Sequence, residues 1–585
     1  MTQILDKVNE PQDLKGLSME ELDTLSAEIR ALLIHKINAT GGHFGPNLGF
    51  IEPTVALHYV FNTPQDKFVF DVSHQCYTHK ILTGRKQYFT NPAKYHEISG
   101  YTNPQESAHD TFVIGHTSTA PSLAVGLAKA RDLQGKTGNV IAIIGDGSLS
   151  GGEALEGLDA AAELNSNLII LVNDNEMCIA PDHGGLYKNL ALLRQTRGQA
   201  ECNFFKALGL DYKYVENGND VRSLIAAFQQ VKDVTRPTVV HIHTLKGKGC
   251  PQAEANKEAF HWVMPGVLDE KKNPAPAAET YASLTQRHLI EKRKQDPSVL
   301  VISPATPGAY GLTPDVRAQL GAGYTDVGIA EEHAVAYASG LAAGGAKPVL
   351  QVLSSFVQRT YDQLSQDLAL NKNPATLLIH WGGISAGDAT HLGIFDIPLI
   401  SNIPNMVYLA PTGRAEYLAM LDWAMAQKQY PVAIRVPFTD VAETGLPVDK
   451  DYAVLNKYQV AEQGREIAVL GLGNFFGLGK SVCKEIRRTL GITPTLINPR
   501  YMTGLDKPLL KELKKTHRLV ITLEDGVLDG GFGEKVAAFY GNSTMKVLTY
   551  GAHKEFTDRV PLEELYRRFR LTKEQIAQDA HDCLK

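Results

Sequence analysis

The chain has 585 residues, a formal net charge of −6 and 21% charged residues. That length accommodates three or four domains, and the mild acidic balance without a basic patch excludes nucleic acid as a partner. No apolar run reaches the roughly 18 residues of a membrane helix, and the polar N-terminus, Met1 to Gln12, is not a secretory signal. The expectation is therefore a cytoplasmic protein that works away from membranes. Six cysteines, at positions 76, 178, 202, 250, 483 and 583, are too scattered for a zinc site and too few to staple the chain, so reduced thiols are expected.

The first predicted element is a helix from Asp13 to Ile37, with Leu17, Leu22, Leu25 and Ile29 on one face and Ser18 and Glu21 spaced as a capping box. It leads into a glycine-rich loop, Gly41 to Gly49, that carries His43. Further histidines follow at His74 and His79 and in the turn Gly115-His116-Thr117; for His79 the reading is a hydrogen-bonded core histidine. Val140 to Ile144 and Leu168 to Val172 read as strands, and Gly152 to Leu164 between them reads as a helix. The first strand ends in Gly145-Asp146-Gly147 and the second in Asn173-Asp174-Asn175-Glu176-Met177. Both polar clusters thus fall at the carboxyl ends of parallel strands, where open α/β sheets bind ligands. Asp146 offers a hard carboxylate, Asn175 an amide oxygen, and the chain near Met177 a backbone carbonyl. Such a set leaves an octahedral Mg²⁺ short of ligands that a diphosphate and water would complete. The flanking glycines let the backbone approach phosphate oxygens.

A strand from Thr238 to His243 leads to Leu245-Lys246-Gly247 and then His261, and Met264 to Ala278 reads as a linker. Strands are then expected at Val299 to Ile302, Asp326 to Ile329, Val349 to Leu353, Thr376 to Ile379, Met406 to Leu409 and Val432 to Val436, a second parallel sheet. A third domain follows Leu446-Pro447. Its Gly471-Leu472-Gly473-Asn474 turn lacks the rest of a dinucleotide fingerprint, so the domain is assigned to packing and assembly.

The GDG and NDN clusters at this spacing resemble the signature of thiamine diphosphate enzymes. The run Phe70 to Arg85 and the segment Gly115-His116-Thr117-Ser118-Thr119 resemble the 1-deoxy-D-xylulose-5-phosphate synthase branch of the transketolase superfamily, and the likeness extends from about Asp13 into the C-terminal domain. It implies three doubly wound α/β domains with mainly parallel sheets: 1–264 for diphosphate and Mg²⁺, 279–445 for the pyrimidine, and a transketolase-like domain at 452–585. It implies thiamine diphosphate and Mg²⁺ as cofactors, small-molecule substrates and a homodimer. The metal would be held by Asp146, Asn175 and Met177. The cofactor would be touched by His74, Gly115, His116, Thr117, Gly147, Ser148, Asn175, Lys246, His261, Phe356 and Arg359. Glu331 would bond the pyrimidine ring nitrogen and prompt loss of the cofactor's C2 proton. His43 and His391 would serve as active-site acid/base or orienting groups, and Asp388 and Arg435 would meet the substrate.

On the acceptor side the chain departs from the family pattern. Pro104, Leu353 and Trp381 stand where an arginine, a tyrosine and another arginine are usual, and Arg435 remains of the set associated with the acceptor phosphate. The reading is a carboligase that decarboxylates pyruvate and adds the two-carbon unit to glyceraldehyde 3-phosphate or another aldehyde. Two alternatives stay open: a transketolase-like transfer of a glycolaldehyde unit between sugars, and a catalytically silent paralogue.

Overall fold

The computed structural model describes residues 3–269 and 278–585. The chain divides into two compact units, one comprising 1–275 with Gly328–Ala330, the other 276–327 with Glu331–Lys585.

The sheet of the first unit contains β1 (Lys67–Phe70), β2 (Val140–Gly145), β3 (Ile169–Asp174), β4 (Asp211–Val215) and β5 (Thr238–His243). They lie in the order β1-β2-β3-β5-β4, all parallel. Successive side chains of a strand point to opposite faces, so a strand buried on both faces reads as a continuous apolar run. Ile141, Ile143, Leu171 and Ile242 enter one core, whereas Val140, Ala142, Ile144, Ile170 and Val172 enter the other. Each fully buried aliphatic side chain contributes roughly 1.5–3 kcal/mol. β4 escaped the sequence reading because only Val215 of its five residues is buried.

The first long helix runs from Met19 to Thr40. At its start Ser18 Oγ accepts from the Glu21 amide at 3.2 Å, and the Glu21 carboxylate accepts from the Ser18 amide at 2.9 Å. The predicted helix over Asp13–Ile37 is thus split: Pro11–Gly16 is a separate 3₁₀ turn. At the C-terminus Gly41 has φ +72°, and a Cβ there would lie 2.7 Å from the Val263 carbonyl oxygen. Gly41 therefore lets Gly42–His43 pair antiparallel with Trp262–Val263.

The second unit holds two sheets. The first contains β6 (Val299–Ser303), β7 (Tyr324–Asp326), β8 (Lys347–Leu353), β9 (Thr376–His380), β10 (Val407–Leu409) and β11 (Val432–Arg435), parallel and ordered β10-β11-β9-β8-β6-β7. The strand expected at Asp326 to Ile329 instead ends at Asp326. Gly328 turns at φ +75° and accepts from the Ala330 amide at 2.9 Å, which redirects the chain into the helix Glu331–Ala343.

The other sheet contains β12 (Gln459–Glu462), β13 (Glu466–Gly471), β14 (Thr495–Asn498), β15 (His517–Val527) and β16 (Lys546–Ala552), ordered β12-β14-β13-β15-β16, with β12 antiparallel to its neighbour. One core joins Leu350, Val352, Leu377 and Ile379 of the first sheet with Ala468, Leu470, Ile497 and Val520 of the second. The two sheets thus lie within one compact unit of the chain. Residues 270–277 of the expected linker lie outside the described residues.

Candidate active-site residues

In the first unit, the register of β2 on β3 pairs Gly145 with Asn173 and so sets the GDG and NDN clusters side by side. Asp146 is 1% exposed. One of its oxygens accepts from the Gly147 amide at 2.9 Å, the other from the amides of Asn175 and Glu176 at 2.7 Å and of Met177 at 3.3 Å. Burial, with Asp182 and Asp174 nearby, raises the Asp146 carboxyl well above the ordinary range. Asp182 is likewise pushed up to about 7, by burial first and Asp174 second. Asp174 is ionised, held at about 2 by His241 and Arg194 against the cost of burial. Asn175 Oδ1 and Asp182 Oδ1 are buried and make no hydrogen bond. Desolvated carboxylates beside an unsatisfied amide oxygen form a donor set that a divalent cation would complete. Among the described residues no three His, Cys, Asp or Glu side chains are arranged as a metal cage.

The GDG turn is tied to the second predicted contact region. Asp71, 1% exposed, accepts from the Ser118 amide at 2.8 Å and the Ala120 amide at 3.0 Å, fixing the turn that contains Gly115, His116 and Thr117. Ser118 Oγ then donates to the Ser148 carbonyl at 2.8 Å. Gly147 carries no Cβ because one would meet Cys178 at 2.7 Å. Lys246 is buried, donates to the Cys178 carbonyl at 2.7 Å, and is lowered by desolvation to about 8.

His43, His74 and His261 form one ring cluster, with centroids 5.0, 5.6 and 5.4 Å apart pairwise. Asn47, 1% exposed, holds it by donating to the carbonyls of His43 at 2.8 Å and His74 at 2.7 Å. Burial and neighbouring Lys246 keep His261 neutral, well below the usual histidine value, and its buried Nδ1 makes no hydrogen bond. His79 lies elsewhere, buried between His58 and Asp110 at 2.8 Å from each. The sequence reading missed Asn47, Asp71 and Asp182. The first two sit in runs rich in predicted site residues, which was a usable signal; Asp182 carried none.

In the second unit, Glu331 opens the helix Glu331–Ala343 and is 4% exposed, whereas Glu332 is half-buried. Glu331 Oε2 makes no hydrogen bond, and its ion pair is to Arg359 at 3.8 Å. Burial raises the Glu331 carboxyl to about 7 against the pull of Arg359. Phe356, in the turn after β8, meets the His391 ring edge-on at 5.5 Å. His391 Nδ1 lies 2.8 Å from Thr390 Oγ1 and 3.4 Å from Asp388, which holds the Asp388 carboxyl at about 2 despite its burial.

Arg435 is tied into a buried ion-pair network. It is 5% exposed; Nε and Nη2 form a fork on Asp396 at 2.8 and 3.1 Å, Nη1 pairs with Asp525, and Nη2 also donates to the Gly393 carbonyl at 3.2 Å. Asn474 of the GLGN turn donates to Asp525 at 2.7 Å. Arg435, expected to meet the substrate, thus ties β11 to β15. Arg435→Ala strands two buried carboxylates, and a loss of about 3–5 kcal/mol is expected. Denaturant unfolding checks this; an unchanged midpoint with only a raised acceptor KM would restore Arg435 to the substrate.

Three family models match the chain in succession: 1-deoxy-D-xylulose-5-phosphate synthase over residues 5–203, the transketolase pyrimidine binding domain over 278–442, and the transketolase C-terminal domain over 456–576. With three mainly parallel sheets among the described residues, these matches define an α/β transferase of aldehyde or ketone groups, of the transketolase type. The 1-deoxy-D-xylulose-5-phosphate synthase of Symbiobacterium thermophilum is 38% identical across 98% of this chain and 94% of its own length. That of Dictyoglomus thermophilum is 38% identical across 90% of each. The chain belongs to the 1-deoxy-D-xylulose-5-phosphate synthase family. Among solved structures, a transketolase from Leishmania mexicana covers 97% of both chains at 15% identity with a TM-score of 0.45.

Proposed function

We propose that this protein is a thiamine diphosphate- and Mg²⁺-dependent carboligase that decarboxylates pyruvate and joins the remaining two-carbon unit to an aldehyde. The observation that carries the reading is the donor set at the ends of β2 and β3: buried Asp146, the unsatisfied Asn175 oxygen and the glycines that keep the turn open. Bound thiamine diphosphate would supply the carbanion that this reaction needs. Asp146, Asn175 and the Met177 carbonyl would hold Mg²⁺; Gly147, Ser148, His74, His116, Thr117, Lys246 and His261 would hold the diphosphate end. Glu331, Phe356 and Arg359 would take the pyrimidine end, with Glu331 holding or releasing a proton at its carboxyl. His391, oriented by Thr390 and Asp388, would exchange protons with substrate oxygens.

A homodimer working on small molecules in the cytoplasm fits the family. No helix among the described residues is long and apolar enough to cross a membrane. Release of CO₂ from pyruvate, stimulated by an aldehyde and dependent on thiamine diphosphate, tests the reading. Consumption of ketose phosphates with no CO₂ from pyruvate would instead mark glycolaldehyde transfer, and neither activity would mark a silent paralogue.

A further inference from the structure

Apart from the donor set around Asp146, the first unit buries a second group of charges to which the reaction assigns no part. Residues 99–110 form an arch without helix or strand. Two carboxylates of the arch hold its own backbone on either side of Tyr101: Glu106 accepts from the Ser99 amide and Asp110 from the Asn103 amide, each at 2.7 Å. Residues 77–85 supply the cations opposite them. Arg85 forks onto Asp110 at 2.6 and 2.9 Å and reaches Glu106 at 3.4 Å, Lys80 pairs with Glu106, and His79 Nε2 lies 2.8 Å from Asp110.

Buried ion pairs are weak evidence of stability, because packed apolar residues of the same volume often serve as well. A fully satisfied polar network does fix geometry. Burial alone would raise the Asp110 carboxyl, yet His79 and Arg85 hold it well below the usual carboxylate range. Asp110 is therefore ionised and can only accept. Burial lowers His79, which meets Asp110 as a neutral Nε2–H donor and has His58 Nε2 at 2.8 Å from its other nitrogen.

What the arch delivers is Tyr101. This residue is buried, and its ring stands edge-on to His43, with centroids 5.9 Å apart at 70°. His43 thus meets three rings, those of His74, His261 and Tyr101. The arch also abuts the His43 loop across Tyr77, whose hydroxyl would lie 3.1 Å from a Cβ on Gly42 and 3.5 Å from one on Gly100. Ser73 Oγ accepts from the Thr102 amide at 3.0 Å and donates to the Ile114 carbonyl at 2.6 Å, beside the Gly115-His116-Thr117 turn.

We propose that Tyr101 is a positioning residue for His43, and that the clamp of Lys80, Arg85, Glu106 and Asp110 acts on the reaction through Tyr101. This rests on the carboligase reading above, with His43 as an acid/base or orienting group in it. An aromatic edge against the imidazole fixes the plane of the ring and keeps water from that side, and a small misplacement of such a group slows the reaction without weakening binding.

The test uses the full chain loaded with thiamine diphosphate and Mg²⁺, with pyruvate and glyceraldehyde 3-phosphate as substrates. Tyr101→Ala is expected to lower kcat about 10- to 100-fold while the pyruvate KM changes less than about 2-fold. Tyr101→Phe keeps the ring and should recover most of the loss. Arg85→Lys keeps the charge and loses the fork, and Glu106→Gln keeps an acceptor for the Ser99 amide; each should lower kcat about 3- to 10-fold. Added to Tyr101→Ala, either should cost less than about 2-fold more, because the clamp then has no ring to place. Losses that multiply, or a loss in Tyr101→Phe as large as in Tyr101→Ala, would overturn the proposal. Histidine labelled with ¹³C at Cε1 reads the geometry without turnover: the His43 signal, identified by its disappearance in His43→Gln, should move in Tyr101→Ala and in Arg85→Lys. If the wild type releases no CO₂ from pyruvate yet the signal moves in both variants, the carboligase reading fails and the placement of His43 by Tyr101 stands. If carboligation proceeds and the signal stays where it was in both, the placement alone fails.

Discussion

Glu331→Ala protein is expected to retain thiamine diphosphate and to exchange the cofactor's C2 proton about 10²- to 10⁴-fold more slowly than the wild type. The substitution leaves the donors of the first unit untouched, so binding and proton transfer separate. Glu331 is suited to a proton-handling role: it is buried, unbonded at Oε2, and raised to about 7 with Arg359 at 3.8 Å. Because the folded-state value lies above the ordinary carboxylate value of 4.5, the folded protein holds this proton more tightly than the unfolded chain does. The stabilising contribution of the neutral carboxyl is complete below about 4.5, declines as pH rises from there to about 7, and is absent above. Arg359→Gln removes the opposing cation and shifts the titration upward. Infrared difference spectra of the protonated carboxyl, with Glu331→Gln as the blank, follow the shift. Deuterium exchange at C2, read by proton NMR, measures the main effect; an unchanged rate would reduce Glu331 to a carboxylate at a helix start.

The second large effect belongs to Asp146. Its two oxygens accept from the amides of Gly147, Asn175, Glu176 and Met177. Asp146→Ala strands those donors, at about 1–3 kcal/mol for each that stays buried, and also removes the one carboxylate of the proposed metal shell. Loss of both cofactor and metal retention is expected. Asp146→Asn preserves part of the hydrogen bonding and should fold normally while binding Mn²⁺ far more weakly, which calorimetry can read without any turnover. EDTA treatment of the wild type should release thiamine diphosphate on desalting. Retention of the cofactor in metal-free protein would contradict the metal-bridged anchor.

Much of this was legible in the sequence where the signal was local. The apolar runs before Gly145 and Asn173 announce buried parallel strands, and the strand period then sets their polar ends side by side. The Ser18 to Glu21 spacing likewise marked the helix start. What stayed hidden depended on partners distant in the chain. The pairing of Arg435 with Asp396 and Asp525 was out of reach because those carboxylates lie 39 and 90 residues away. Asp182 reads as a loop residue until Met177 bridges to Pro181 and folds it back towards Asp146. The core shared by the two sheets of the second unit was also out of reach, since it joins side chains distant in the chain.

The most direct test of the carboligase assignment follows the carbon atoms. Protein supplied with thiamine diphosphate, Mg²⁺, pyruvate labelled with ¹³C at C2 and C3, and an aldehyde should yield a hydroxyketone whose two labelled carbons remain bonded to each other. The former C2 should also show a new bond to the aldehyde carbon, seen by ¹³C NMR. Recovery of the label only in unchanged pyruvate, while ketose sugars exchange two-carbon units under the same conditions, would contradict the account.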